Sequence, residues 1–274
     1  MKIKILFAAL FAALSVMAQE SEIKVDLRLD STDFLIGERI RGVVDIANYS
    51  SDKIDVSKTS KTDRFFIEVY RASDMYLMDS ISKRVFVADF SLESGEGQKL
   101  ETFLADHYAL KHESKYLARP VLVHRGIRYE GMFRAFDLVK GIKVAQATQL
   151  FANRPNLRRD LTLYHWMRCG QEHLFLGAQD SGDSDRAWAT RDLGPILRID
   201  KPTISVLKTG EVIILHRLNA DQFVRSEFWS IPDQLMFRTR TAVQDPETAG
   251  TQRVRELYKE KSVAPKKNPW YKFW

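Results

Sequence analysis

The sequence predicts an all-β fold: an antiparallel β-sandwich followed by a second antiparallel β-meander domain, itself a sandwich or an open barrel. Three observations carry this expectation. From Glu22 onward apolar residues recur with period two rather than 3.6, the pattern of half-buried strands. Turn signals return at the short spacing expected of antiparallel sheets. One cysteine, Cys169, in 274 residues leaves no internal disulfide, so stability has to come from sheet packing. With 45% hydrophobic and 28% charged residues, the composition is that of a globular protein and excludes a disordered, collagen-like or disulfide-scaffold chain.

Residues 1–18 read as an export signal. Lys2 and Lys4 precede a nearly unbroken apolar run, Ile5 to Met17, and Val16-Met17-Ala18 offers small residues for cleavage after Ala18. The run is short for a permanent membrane helix, and no later stretch approaches that apolar length. The expectation is a secreted or periplasmic protein with no transmembrane segment after processing.

Residues 19–140 hold the first domain. Ile23 to Asp30 alternates apolar and charged residues, and Gly37 supplies a turn. Ile40, Val44 and Ile46 mark a second strand ending at Asn48-Tyr49-Ser50-Ser51-Asp52. Ile54 and Val56 follow. Further strands are expected at Phe65–Tyr70, Arg84–Phe90, Leu100–Leu104, Lys115–His124 and Arg128–Val139. The last two form a hairpin turning at Arg125-Gly126. Asn48-Tyr49-Ser50 spells a glycosylation sequon but is read as a turn.

The run Leu29 to Glu38 leading into Ile40–Asn48 resembles the start of an immunoglobulin- or fibronectin-III-like domain of secreted bacterial proteins. In those domains a G-E-x-I element opens the second strand and an Asn follows it. Leu110 followed by Tyr116 is similar to their tyrosine corner. The resemblance implies a sandwich whose tyrosine hydroxyl bonds back to upstream backbone, with roles in adhesion, scaffolding or ligand presentation. It covers about Glu22 to Lys140, and it implies architecture without a specific function.

Residues 141–156 are expected as a linker, forming a short helix or an interdomain strand before Asn153-Arg154-Pro155-Asn156 stops it. The second domain, 157–245, carries about eight short strands. Glu172–Leu197 and Glu211–Met236 are equal-length units offset by 39 residues, a blade-like spacing. Two units are too few to close a propeller, so a sandwich or open barrel is preferred.

Few residues gather into chemistry. His165, Cys169 and His173 have even spacing and zinc- or copper-binding side chains, but Gly170-Gln171 should turn the chain between them. The loop Asp180–Asp185 is acidic without the spacing of a known calcium loop. Asp106, His107 and His112, or Glu68 and Asp89 paired with other carboxylates, are the acid–base candidates. No lipase-type, zinc-protease or P-loop motif is present. Trp166, Trp188, Phe228 and Trp229 are candidates for stacking on sugar rings, with core packing the alternative. No cofactor is expected.

Residues 246–274 form a basic, aromatic tail. From Thr251 onward seven Lys and Arg face two Glu, a net charge of +5 out of the +6 of the whole chain. The body is therefore close to neutral, which speaks against a nucleic-acid-binding domain. Lys266 and Lys267 precede Trp270, Tyr271, Phe273 and Trp274. These six residues are the candidate binding segment, directed at an anionic envelope surface, a glycan or another secreted protein. The alternative is that the aromatics fold back onto the protein.

The functional expectation is an exported, non-catalytic binding or scaffolding protein of the cell envelope or extracellular space. The alternative is a β-sandwich hydrolase or carbohydrate-binding protein acting on polysaccharide. A hydrolase needs close carboxylates in a cleft or a His beside a nucleophile.

Overall fold

A computed structural model describes residues 22–57, 60, 62–81, 89–181, 189–232 and 234–244. The expected export signal and the tail residues lie outside these, as does most of the strand expected at Arg84–Phe90. The described residues are all-β, with nineteen strands and one 3-10 turn, Leu104–Asp106. The chain divides into two compact units: the first is 1–30, 41–108 and 117–135, the second 31–40, 109–116 and 136–274.

In the first unit, β1 (Ile23–Leu29) pairs antiparallel with β3 (Arg41–Asn48), from Ile23 opposite Asn48 to Leu29 opposite Gly42. Strand β8 (Gly97–Phe103) closes that sheet, and β4 (Ile54–Val56) pairs with β7 (Phe90–Leu92). Strand β5 (Arg64–Arg71) supplies the opposing layer with β6 (Tyr76–Leu77). The period-two pattern sends Ile23 and Leu27, Val44 and Ile46, and Phe65, Ile67 and Val69 inward, where all are buried. Strand β9 (Ser114–His124) turns at Arg125-Gly126 into β10 (Ile127–Glu130), with His124 opposite Ile127. Both turn residues have positive φ, 50° and 82°, as a two-residue hairpin turn requires.

Asn48 ends β3 and is fully buried. Its Nδ2 donates to the carbonyls of Asp52 (2.8 Å), Leu92 and Glu93, while its Oδ1 accepts from the backbone N–H and hydroxyl of Ser50. One amide thus ties two loops to the strand end, which confirms Asn48-Tyr49-Ser50 as a turn. Replacing Asn48 with Ala should cost about 2 kcal/mol in urea unfolding, because buried carbonyls lose their donor.

In the second unit, β2 (Asp33–Leu35) pairs parallel with β11 (Arg134–Val139), from Asp33 opposite Asp137 to Leu35 opposite Val139. Buried Phe136 stacks on Tyr116 and meets Phe34 edge-on. The Tyr116 hydroxyl donates to the His112 carbonyl at 3.1 Å, the back-bond expected of a tyrosine corner. Tyr116→Phe should therefore lower stability by about 1 kcal/mol with the ring packing preserved, measurable as a shift of the urea midpoint.

Two four-stranded meanders complete this unit. One runs β12 (Ile142–Phe151), β13 (Arg154–Arg168), β14 (Gln171–Ser181) and β15 (Ala189–Pro195). The other runs β16 (Thr203–Val206), β17 (Glu211–Arg217), β18 (Phe223–Ile231) and β19 (Gln234–Val243). Leu161, Leu163, Leu174 and Leu176 of the first and Val212, Ile214 and Phe228 of the second share one core. The two blade-like units lie in these two meanders, which pack on that shared core. Residues 141–156, expected as a linker, hold β12 and the start of β13, because the full length of β12 pairs with β13. Gly210, at φ 87°, turns the chain between β16 and β17, where a Cβ would sit 2.7 Å from the Ser230 carbonyl oxygen.

Candidate functional site

A polar concavity lies in the first unit, where three connections converge. These are the β3–β4 loop, the β4–β5 loop and the β9–β10 hairpin turn. Their meeting encloses an open concavity of about 400 Å³. Asp63 and His124 line it, each 5% exposed, with Asp63 Oδ1 3.0 Å from His124 Nδ1.

Each partner is placed by a local rule. Asp63 immediately precedes the apolar run of β5, and His124 is the last residue of β9 before its turn. The Ser57 hydroxyl accepts from the Ser60 N–H, and the Ser60 hydroxyl accepts from the Asp63 N–H, both at 3.1 Å. Such short-range serine bonds wind a loop that has no sheet partner. The Asp63 carboxylate then receives the N–H of Asp55 at 2.9 Å and that of Arg125 at 3.4 Å. One carboxylate thus ties strand β4 and the hairpin turn to the β4–β5 loop.

Burial alone would raise the Asp63 pKa. The Asp55 N–H, the His124 ring and the Arg125 N–H outweigh it and hold the carboxyl below its ordinary value. The carboxylate faces Nδ1 at 3.0 Å, but both His124 ring nitrogens are buried without a hydrogen-bond partner among the described residues. At the rim, Lys53 pairs with Glu93 and Arg125 with Asp52, both exposed pairs of small energetic value. Asp55 and Thr62 complete the lining.

The residues singled out in the sequence are distributed elsewhere. Cys169 is exposed in a tight turn with Gly170, at φ 49° and 80°, while Arg168 pairs opposite Gln171. The reversal therefore falls one residue earlier than the expected Gly170-Gln171 turn. It breaks the run of even spacing: His165 lies opposite Leu174, and His173 lies opposite Trp166. The two histidines consequently project to opposite faces of the hairpin. His173 meets the carboxylate of Asp192 at 2.9 Å, while His165 is buried. Among the described residues no group of three His, Cys, Asp or Glu is placed to hold a metal ion.

Asp180, the first residue of the acidic loop, is bound by Arg159, and the loop from Gly182 lies outside the described residues. Glu68 is saturated by Arg119, Arg128 and the Tyr70 hydroxyl. Burial would raise its pKa, but Arg128, Arg119 and Tyr70 together lower it, so it is an ion-pair hub rather than a proton donor. Burial likewise lowers the His107 pKa. Phe228 is a core residue, Trp166 and Trp229 are half-buried, and Trp188 lies outside the described residues. The tail candidates Lys266, Lys267, Trp270, Tyr271, Phe273 and Trp274 also lie outside them.

No reading of local spacing finds the Asp63–His124 pair, since 61 positions separate the two. The available signals were the Ser-rich stretch before Asp63 and a His at the edge of an Arg-Gly turn.

No family model matches the chain, and no curated protein does. Among solved structures, the sporulation control protein Spo0M from Bacillus subtilis has 11% identity and a TM-score of 0.31, covering 88% of this chain and 97% of its own. The CsuC-CsuE chaperone–tip adhesion subunit complex of Acinetobacter baumannii Csu pili also has 11% identity, with a TM-score of 0.24. That match covers 74% of this chain and 97% of the matched one. Among the described residues no helix is long and apolar enough to cross a membrane.

Proposed function

We propose that this chain is an exported, non-catalytic binding protein of the cell envelope or extracellular space, with an immunoglobulin-like N-terminal part. Its ligand is a small polar molecule held at the loop end of the first unit. The carrying observation is the polar concavity around Asp63 and His124, pinned by backbone donors and left with an unsatisfied ring nitrogen. Sheet scaffolds place variable contacts on such loops while the strands keep them rigid. The Asp63 carboxylate is committed to holding backbone N–H groups, which favours recognition over turnover.

The test is a heteronuclear NMR titration of residues 19–274 with neutral methyl glycosides, inorganic phosphate, sulfate and free amino acids. Saturable shifts at Asp55, Asp63 and His124 with any one class support the reading. Shifts confined to other surfaces, or new product signals, overturn it. Export is checked by sequencing the N-terminus of secreted material from the full-length gene, with Gln19 the expected first residue. The tail residues Lys266, Lys267, Trp270, Tyr271, Phe273 and Trp274 are proposed as an envelope anchor. Deleting 265–274 should then abolish salt-sensitive sedimentation with anionic vesicles.

A further inference from the structure

We infer that the concavity around His124 takes a neutral, hydroxyl-bearing saccharide unit; this rests on the binding function proposed above and assigns its ligand class. Three features of the site point to that chemistry.

The first is charge balance. The cations Lys53 and Arg125 are matched by the carboxylates Asp55 and Asp63, and each cation has a second acidic partner, Glu93 or Asp52. An anion would enter a site with no excess positive charge and would have to break existing pairs. A neutral ligand meets no such cost.

The second is the mixture of donors and acceptors. Ser57, Ser60 and Thr62 contribute hydroxyls that can both give and accept. Asp55 only accepts, whereas Lys53 and Arg125 only donate. A ligand bearing several hydroxyl groups can serve every one of these partners, since each hydroxyl does both. Sulfate offers acceptors alone and hydrogen phosphate carries a single hydroxyl, and either dianion leaves the carboxylate facing like charge.

The third is the histidine. Both ring nitrogens are buried without a hydrogen-bond partner among the described residues, with Nδ1 3.0 Å from Asp63 Oδ1. Leaving them unpaired is costly, and a ligand hydroxyl, which both gives and accepts, can serve a ring nitrogen in either tautomer. Sulfate has no proton to give.

The experiment records proton–nitrogen correlation spectra of the 19–274 protein at pH 7.5, including long-range correlations of the histidine rings. The probes are the methyl glycosides of glucose, galactose, mannose and N-acetylglucosamine, with sodium sulfate and sodium phosphate as separate arms. At least one glycoside is expected to shift the His124 ring and Asp55 amide signals saturably, with sulfate and phosphate leaving both unmoved. Asp55→Asn, at an exposed side chain, should weaken that binding about fivefold with an unchanged amide spectrum elsewhere. His124→Phe should abolish it, and circular dichroism reports whether that variant is folded. Saturation by sulfate or phosphate and not by any glycoside overturns the ligand class while leaving the pocket as the binding site. Silence from every probe overturns both. Glycoside binding that Asp55→Asn leaves unaltered places the sugar elsewhere and also overturns the assignment.

Discussion

Replacing Arg159 with Ala is expected to destabilise the protein by about 3–5 kcal/mol, a large share of a normal folding free energy. Arg159 is 3% exposed on β13 and grips Asp180 of β14 with two parallel bonds of 2.6 and 2.7 Å. Its third nitrogen reaches across to the β18–β19 hairpin, donating to the Ser230 hydroxyl and to the carbonyls of Ile231 and Gln234 at 2.9–3.1 Å. The guanidinium thus joins β13 to β14, β18 and β19, and Gln149 of β12 donates to the Ser230 carbonyl beside it. The ring of Phe151 lies 5.3 Å from the guanidinium carbon. Truncation to Ala leaves Asp180 buried and charged without a partner, and two carbonyls without a donor.

Lysine should rescue little, because a point charge cannot reproduce the fork geometry. The double variant Arg159→Met with Asp180→Leu should recover more than half of the loss, since removing both charges removes the desolvation penalty as well. Urea unfolding of the four proteins measures this directly. A loss under 1 kcal/mol for Arg159→Ala would mean that the network is dispensable.

The second large effect is a loss of stability between pH 6.5 and 4, on the order of 3 kcal/mol, traceable to His216. This side chain is 1% exposed on β17. Burial, followed by the charge of Arg240, pushes its pKa down to about 4. The sign follows from the two proton affinities. In the unfolded chain the imidazole binds a proton below about pH 6.5. The folded protein resists protonation until about pH 4. The unfolded state therefore gains protons across that window and stability falls, while above it the stability is fully present. His216→Leu should flatten the dependence there. Asp63 and Glu68 contribute in a lower range, because both carboxyls titrate below their ordinary values in the folded protein. Their stabilisation is lost only as pH falls further. Urea midpoints at pH 7.5 and 4.5 for the two proteins separate these contributions, and an unchanged slope in His216→Leu would exclude His216 as the source.

These effects arise from residues that the sequence alone did not mark. Arg159 sits in an Arg-Arg-Asp run that reads as a solvated strand, and only the register of β13 against β14 places Asp180 beside it. His216 ends an apolar stretch, where a polar residue would be expected to face water. Asp63 and His124 come together only because β5 and β9 belong to the same sheet. The local features were legible: the Asn48 turn, the Arg125-Gly126 hairpin, and the back-bond of Tyr116. Each rests at least in part on short-range rules: the positive φ of the turn pair Arg125-Gly126, and side chains of Asn48 and Tyr116 that reach groups two to four residues away. The interruption expected between His165, Cys169 and His173 was legible too, though the turn falls at Cys169 and Gly170, both with positive φ, rather than at Gly170-Gln171.

The sequence by itself determined that this is an all-β protein and where many of its strands and turns fall, because alternation of burial and the φ preferences of turn residues act over short range. The tertiary structure decided how the strands divide into sheets and units. It drew Ser31–Ile40 into the second unit, where Thr190 donates to the carbonyls of Ile36 and Gly37 and Arg168 pairs with Glu38. It also decided which polar side chains meet in the interior. Those outcomes depend on long-range register and on desolvation, and both are properties of the assembled sheets rather than of any segment.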